Sequence, residues 1–248
     1  MRLISLTLAA ALLAPVSASA FDLTAMTDAE REAFRAEVKA YLLEHPELLI
    51  DVSNALQEKQ AAEQAKGDQA LIAANANEIF ADPASFVGGN PEGSLTLVEF
   101  IDYKCGYCRK AHADVAELVK SDGDIRYVVK EFPILTEESL IAARFAVAAL
   151  QVAGPEAYQK INAGFYESFR GDVTNDTLAA FANGLGIDPA PIMAAMSSPE
   201  VEKVIAANHA LAQRLQISGT PTFVLGDEML RGYVPLDAMR EIVAKVRS

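Results

Sequence analysis

The two cysteines of the chain are the only ones in 248 residues, and two residues separate them, at Cys105 and Cys108. A disulfide between them closes so short a loop that it removes little entropy from the unfolded chain, so it is a poor structural cross-link. The pair lies where an apolar run, 95–101, gives way to a helix-compatible stretch, 109–119. The first sulfur is then beside a helix N-terminus, where free N–H groups and the macrodipole favour a thiolate. The sequence therefore predicts a redox-active dithiol.

The first twenty residues have the three parts of a secretory signal peptide. Arg2 comes first, an apolar run follows at 3–16, and the small residues 17–20 end in an Ala-x-Ala pattern. The apolar run is too short to span a bilayer comfortably, and an uncleaved N-terminal anchor is the alternative. We expect cleavage before Phe21, no stable membrane insertion and a periplasmic location, because that compartment is oxidising and offers substrates to a cysteine pair.

The net charge of the chain limits the kinds of partner that it can bind. Acidic residues outnumber basic ones by 34 to 21, which gives a formal net charge of −13. This acidity argues against nucleic acid and anionic lipid as partners and favours solubility. We predict no cofactor and no resident metal ion. Cys105, Cys108 and His112 share one helix face, however, and that spacing permits a copper(I) site as an alternative.

Residues 21–80 are predicted to form an amphipathic helical extension. Thr27 and Glu30 have the spacing of a capping box, which places a helix start at Thr27. Apolar residues then recur at helical spacing in two stretches, at Phe34, Val38, Tyr41 and Leu42 and at Leu49, Val52 and Leu56. These stripes are too narrow to form a core alone, so they pack either on the rest of the chain or on further copies, as a dimer or trimer. Turn-forming residues at 81–93 predict a linker.

Residues 94–248 read as a second domain with an α/β pattern. A strand at 95–101, a helix from Cys105 to about 120 and a strand at 125–132 form a β-α-β unit, which implies two parallel strands. The stretch from about 137 to 216 is helical by pattern, and short strands at 222–225 and 229–231 precede a closing helix. The predicted fold is therefore a small mixed sheet interrupted by an inserted helical subdomain.

At this point the residues resemble a known family. The segment 100–108, the helical insertion and Gly219-Thr220-Pro221-Thr222-Phe223 together resemble the DsbA family of thioredoxin-fold oxidoreductases, over roughly 94–248. The extension, including Tyr41-Leu-Leu-Glu-His-Pro-Glu-Leu-Leu49, resembles that of ScsC-type members. Those members are implicated in disulfide shuffling and copper tolerance, and some are trimers. The resemblance implies a thioredoxin fold with a helical insertion and an N-terminal extension.

The resemblance also implies roles for individual residues. Cys105, the first cysteine at the helix N-terminus, is expected to be the nucleophile, and Cys108 is expected to resolve the mixed disulfide. Pro221 matches the cis-proline position, so that Thr220 can pair with a bound peptide, although an ordinary trans proline is the alternative.

Further roles concern the residues around the pair. Gly106 and Tyr107 are expected to face the substrate. Glu99 matches the buried acidic residue of the family, so the resemblance implies that it carries a proton to and from the resolving thiol. Strand alternation places Glu99 with apolar residues, which is compatible with burial; a solvent-facing glutamate is the alternative. Lys130 is a candidate cationic partner of Glu99. The aromatic residues of the insertion, Phe165, Tyr166 and Phe169, are expected in the core rather than in a client groove.

Three functions remain open. The dipeptide Gly106-Tyr107 differs from the Pro-His of strong oxidases in this family and, with Thr220, resembles the periplasmic isomerase DsbC. We therefore favour an isomerase or reductase of protein disulfides over a dithiol oxidase, and a copper-binding protein is the least favoured alternative. The expected partners are client proteins with thiols or disulfides, a periplasmic or membrane redox partner, and further copies of the chain.

Overall fold

The computed structural model describes residues 24–248, so the predicted signal peptide lies outside the described residues. Within this part, the helices are α1 (Asp28–Glu44), α2 (Glu47–Ala74), α3 (Ala76–Phe80), α4 (Gly106–Asp122), α5 (Glu137–Ala153), α6 (Pro155–Glu167), α7 (Asn175–Gly184), α8 (Pro189–Ala195), α9 (Pro199–Arg214) and α10 (Leu236–Val246). The strands are β1 (Phe86–Gly89), β2 (Leu95–Ile101), β3 (Ile125–Glu131), β4 (Thr222–Leu225) and β5 (Glu228–Arg231). The chain divides into two compact units, one up to Lys59 and one from Gln60 to Ser248.

The first unit contains α1 and the N-terminal part of α2. The predicted capping box is present: the Glu30 N–H donates to the Thr27 hydroxyl at 3.3 Å, and the Thr27 N–H donates to the Glu30 carboxylate at 2.8 Å. No residue of α1 is buried, and Phe34 is 46% exposed. The apolar stripe of α1 is therefore uncovered in the single chain.

The second unit is built on one mixed sheet of five strands in the order β1-β3-β2-β4-β5. Strands β2 and β3 are parallel, which confirms the predicted β-α-β unit, and α4 is its crossover helix. The other pairs are antiparallel. Apolar residues of α4 and α10 cover one face of the central strands, and residues of α2, α3 and α9 cover the other. The site lies where β2 ends and α4 begins.

Helices α5–α9 form the predicted inserted subdomain. Several alanines of α5 are fully buried, which allows α6, α8 and α9 to approach it closely. Phe165 and Tyr166 are buried in this layer and Phe169 packs against it, so the expectation of core aromatics is confirmed. The sequence pattern did not indicate α8, a short helix that begins at the Asp188 cap. None of the described helices is long and apolar enough to cross a membrane.

Two predicted boundaries differ from the structure. The predicted linker at 81–93 contains β1, whose residue Phe86 is buried and pairs with Val129 of β3. The predicted extension at 21–80 ends earlier, because residues from Gln60 onward belong to the second unit. There Ile72 and Ile79 are buried beneath the sheet, and Asp68 binds Arg231 at 2.5 Å. In both segments, contacts with distant parts of the chain decide the structure, although the local sequence is typical of turns in one and of a polar helix in the other.

Candidate active site

The two cysteines lie at the start of α4, one at its N-cap and the other within its first turn. Cys105 is the N-cap residue: its N–H donates to the Asp102 carbonyl at 3.1 Å, and its carbonyl accepts from the Arg109 N–H at 3.1 Å. Cys108 is one turn further in. Cys105 is 8% exposed and Cys108 is 1% exposed, and the two sulfurs are not bonded to each other. Cys105 is thus the more accessible thiol, beside the free N–H groups of the first helical turn.

Asp102 joins this loop to the loop after β3, a role that sequence reasoning missed. The buried carboxylate accepts N–H groups from Lys104 at 2.8 Å, from Ile134 at 2.9 Å and from Leu135 at 3.1 Å. A carboxylate that satisfies three backbone donors fixes both loops relative to each other. The available signal was an aspartate immediately after a buried strand, which is typical of an Asx turn.

The segment before β4 faces the first cysteine. The Thr220–Pro221 peptide bond is cis, as the family resemblance implied. The thiol of Cys105 donates to the Thr220 carbonyl oxygen, with a distance of 3.2 Å from Sγ to O. Within residues 24–248, the buried hydroxyl of Thr220 has no hydrogen-bond partner. The structure therefore brings Cys105 together with Thr220 and Pro221, although Thr220 lies 115 positions later in the chain.

Glu99 is buried on β2, as expected, with 3% of its surface exposed. Burial raises the pKa of its carboxyl to about 7, while a hydrogen bond from the Tyr127 hydroxyl acts in the opposite direction. Burial is also the main reason that the pKa of the Cys108 thiol is raised, and the charge of Glu99 adds to this effect. The charge of Glu99 thus disfavours the thiolate form of Cys108.

The proposed pairing of Glu99 with Lys130 is wrong. Lys130 pairs in register with Phe100, so alternation places its side chain on the opposite face of the sheet from Glu99. Its ammonium donates to Asp82 at 2.6 Å and to the Glu78 carbonyl at 2.8 Å. Tyr127, two residues before Val129, lies on the Glu99 face and is the actual partner.

A third buried carboxyl side chain lies at the end of β3. Glu131 accepts hydrogen bonds from the hydroxyls of Tyr103 and Tyr158, both at 2.6 Å, through one oxygen. Its other oxygen has no partner within the described residues. Burial raises the pKa of Glu131 to about 8, so this carboxyl is largely protonated at neutral pH. The cluster positions Tyr103, which precedes Cys105 by two residues, and no local sequence pattern indicated it.

The residues between the cysteines are accessible. Tyr107 is 64% exposed, and nothing lies within 4 Å of the position that a Cβ of Gly106 would take. The surface beside Cys105 is therefore open to a substrate at the predicted dipeptide.

The structure does not assemble a metal site around His112. The imidazole lies 5.1 Å from the Tyr166 ring, and its Nε2 is 3.4 Å from a Glu167 oxygen. Burial is the main reason that the pKa of His112 is lowered. From residue 24 to residue 248, no group of three or more histidine, cysteine, aspartate or glutamate side chains could hold a metal ion.

Two family models match the chain. A thioredoxin model matches residues 81–245, and a model described as the N-terminal domain of the copper resistance protein ScsC matches residues 30–63. Among curated proteins, the chain is 30% identical to a Na(+)/H(+) antiporter NhaA of Herminiimonas arsenicoxydans over 147 residues, which are 59% of this chain. The match spans 23% of that antiporter, so the chain corresponds to less than a quarter of it.

Solved structures agree with the family models. A thioredoxin-like oxidoreductase from Silicibacter pomeroyi is 39% identical, with a TM-score of 0.64, over 69% of this chain and 96% of that chain. Salmonella enterica Typhimurium BcfH is 28% identical, with a TM-score of 0.71, over 89% of this chain and 97% of that one. Proteus mirabilis ScsC in a transitional conformation is 26% identical, with a TM-score of 0.65, over 91% and 98%.

Proposed function

The chain belongs to the thioredoxin family, among the DsbA- and ScsC-like thiol–disulfide oxidoreductases, and on this basis we propose that it is a periplasmic isomerase or reductase of protein disulfides. The observation that carries the proposal is the meeting of Cys105, at the N-terminus of α4, with the carbonyl of Thr220. The Cys105 side chain is held by the N-cap of α4, and the Thr220 carbonyl belongs to the main chain. A client peptide that contacts Thr220 is therefore held against the reactive sulfur.

The proposed exchange consists of two successive displacements at sulfur. The Cys105 thiolate attacks a client disulfide, forms a mixed disulfide and releases one client thiolate. For reduction, Cys108 transfers its proton to Glu99 and attacks the Cys105 sulfur, which forms the Cys105–Cys108 disulfide and releases the second client thiolate. For isomerisation, another client thiolate attacks the mixed disulfide instead, and the Cys105 thiolate is regenerated with no net transfer of electrons.

The surroundings of Cys105 favour isomerase or reductase activity over strong oxidation. A strong oxidase needs a stabilised thiolate, because that form stabilises the reduced protein. Here Tyr107 stands between the cysteines and cannot act as a cation. The group that contacts the sulfur is the Thr220 carbonyl, which accepts a hydrogen bond from a thiol but repels a thiolate. The helix N-terminus is then the main stabilising feature.

The reduction potential of the cysteine pair tests this preference. We expect a value well below that of a strong dithiol oxidase, which is about −120 mV, and near that of an isomerase, about −180 mV. Equilibration with glutathione buffers, followed by acid quenching and mass spectrometry of the Cys105–Cys108 peptide, gives the potential. A value at or above that of the strong oxidase overturns the preference and supports a dithiol oxidase.

Glu99→Gln is expected to slow release of the mixed disulfide by about a hundredfold near neutral pH, because the proton acceptor for Cys108 is lost. In the unmodified protein the carboxylate is the accepting form, so the release rate should rise with pH through the Glu99 pKa of about 7. The variant should lack this rise. Single-turnover reduction of a disulfide peptide from pH 5 to 9 measures both rates.

Two variants control this experiment. Tyr127→Phe removes the hydrogen bond that lowers the Glu99 pKa, so the rise should move to higher pH. Glu131→Gln replaces another buried carboxyl whose tyrosine partners can still donate to the amide oxygen, and it should retain the rise. An unchanged pH profile in Glu99→Gln would remove Glu99 from the mechanism.

We also propose that the first unit associates with other copies of the chain. Its apolar side chains, such as those of Phe34 and Tyr41, are exposed in the single chain. The match to the ScsC N-terminal model covers 30–63, and so coincides with this stripe. Association presents several Cys105 sites to one client, which suits isomerisation of proteins with several disulfides.

A further inference from the structure

A cavity of about 150 Å³ is lined by Lys104, the residue that directly precedes the reactive cysteine. It lies between the start of α4 and the segment that follows α6. Its lining includes Lys104 and Arg109 at the start of α4, Phe165 of α6, and Phe169 and Arg170 in the segment that follows α6. Lys104 directly precedes Cys105, and the Arg109 N–H donates to the Cys105 carbonyl at 3.1 Å. The cavity therefore adjoins the backbone that carries the sulfur.

Two arginines in this lining have no carboxylate partner within residues 24–248. The Arg109 guanidinium donates to the Tyr166 carbonyl, and Arg170 donates to the carbonyls of Phe169 at 2.7 Å and Glu167 at 2.9 Å. Lys104 differs, because its ammonium is 2.5 Å from a Glu138 oxygen and its charge is balanced. The excess positive charge at the cavity therefore comes from the two arginines.

The side chains of both arginines line the same cavity. The pKa of Arg109 is lowered, first by burial and then by the charge of Arg170. This pairing of like charges occurs in a chain whose formal net charge is −13, where a surface arginine has many acidic side chains available. An anion between the two groups would relieve the repulsion and accept planar, bidentate hydrogen bonds. Phe165 and Phe169 provide an apolar wall for the carbon atoms that carry the anion.

We propose that this cavity is a carboxylate subsite that selects disulfides and thiols whose sulfur lies near a carboxylate. The proposal rests on the proposed function, because it assumes attack by Cys105. Two sources share this chemistry: an acidic side chain a few residues from a client cysteine, and the carboxylates of a small peptide thiol such as glutathione. In either case the guanidinium groups hold the carboxylate while the disulfide reaches Cys105.

The test compares rates of attack by the reduced protein on paired probes. One pair is oxidised glutathione and the uncharged bis(2-hydroxyethyl) disulfide; the other is a disulfide peptide with Glu or Gln two residues from its cysteine. Arg170→Gln should slow attack on the carboxylated probes by about threefold to tenfold and leave the uncharged ones unchanged. Arg170→Lys should show a smaller loss, because it keeps the charge but not the planar donor pair.

Lys120→Gln is the matched control, because it removes one positive charge from the last turn of α4, about 20 Å along the helix from Cys105. It should leave all four rates unchanged. An effect of Arg170→Gln on glutathione alone identifies the small thiol as the ligand, and an effect on the peptide pair alone identifies the client side chain. If Arg170→Gln reacts with every probe at the rate of the unmodified protein, or slows all probes equally, the subsite is overturned. Failure of every probe to react overturns the proposed function instead.

Discussion

Cys105→Ser is expected to abolish thiol–disulfide exchange, with a loss of at least about a thousandfold in the rate of disulfide reduction. Cys105 is the more accessible thiol, beside the free N–H groups of α4 and against the Thr220 carbonyl, whereas Cys108 is fully buried. Serine keeps the shape of the side chain but cannot form a mixed disulfide. Reduction of a fluorescent disulfide peptide under single-turnover conditions measures the rate.

Cys108→Ser is the matched variant and should behave differently. It keeps the attacking sulfur, so the first displacement proceeds, but the mixed disulfide cannot be resolved and should accumulate. Non-reducing electrophoresis with a client protein shows the trapped species, and circular dichroism checks that both variants are folded. The reverse pattern, with exchange retained in Cys105→Ser and no trapping in Cys108→Ser, would contradict the assignment of the two cysteines.

Phe34→Glu combined with Val38→Glu is expected to convert the protein to a monomer and to lower reactivation of scrambled ribonuclease at least about tenfold. Both side chains are a little under half exposed in α1, so covering each by a partner helix is worth about half of the roughly 1.5–3 kcal/mol of full burial, whereas an unpaired buried charge costs several kcal/mol. Two buried glutamates would therefore cost more than the association gains. The active site is in the other unit, so exchange with a small peptide should be unchanged. Light scattering measures the oligomeric state beside both assays.

Ala36→Glu combined with Ala40→Glu provides the control, because it adds the same charge to the opposite side of α1. This variant should remain oligomeric and active. If the unmodified protein is a monomer, or if the apolar-face variant still associates, the role proposed for the extension is wrong.

Features that depend on local periodicity could be predicted from the sequence. The Thr27 capping box, the parallel β2–β3 pair and the burial of Glu99 follow from the spacing of neighbouring residues, which helices and strands repeat with fixed periods. The position of Cys105 at a helix N-terminus follows from the same strand-to-helix transition.

Some features that depend on distant parts of the chain could not be predicted. The sequence makes Lys130 a candidate partner of Glu99, but the actual partner of Lys130, Asp82, lies 48 positions away. Strand β1 is only four residues long and ends in two glycines, so its turn-like composition concealed the pairing with β3. The meeting of Arg109 with Arg170 arises only when the insertion folds back on α4.

Reactivation of scrambled ribonuclease by the full protein, measured beside oxidation of reduced ribonuclease, tests the central claim most directly. An isomerase that works through the reduced Cys105 should restore ribonuclease activity from the scrambled form, and should be a poor donor of disulfides to the reduced form. Efficient oxidation of reduced ribonuclease without reactivation of the scrambled enzyme would contradict this account and identify a dithiol oxidase.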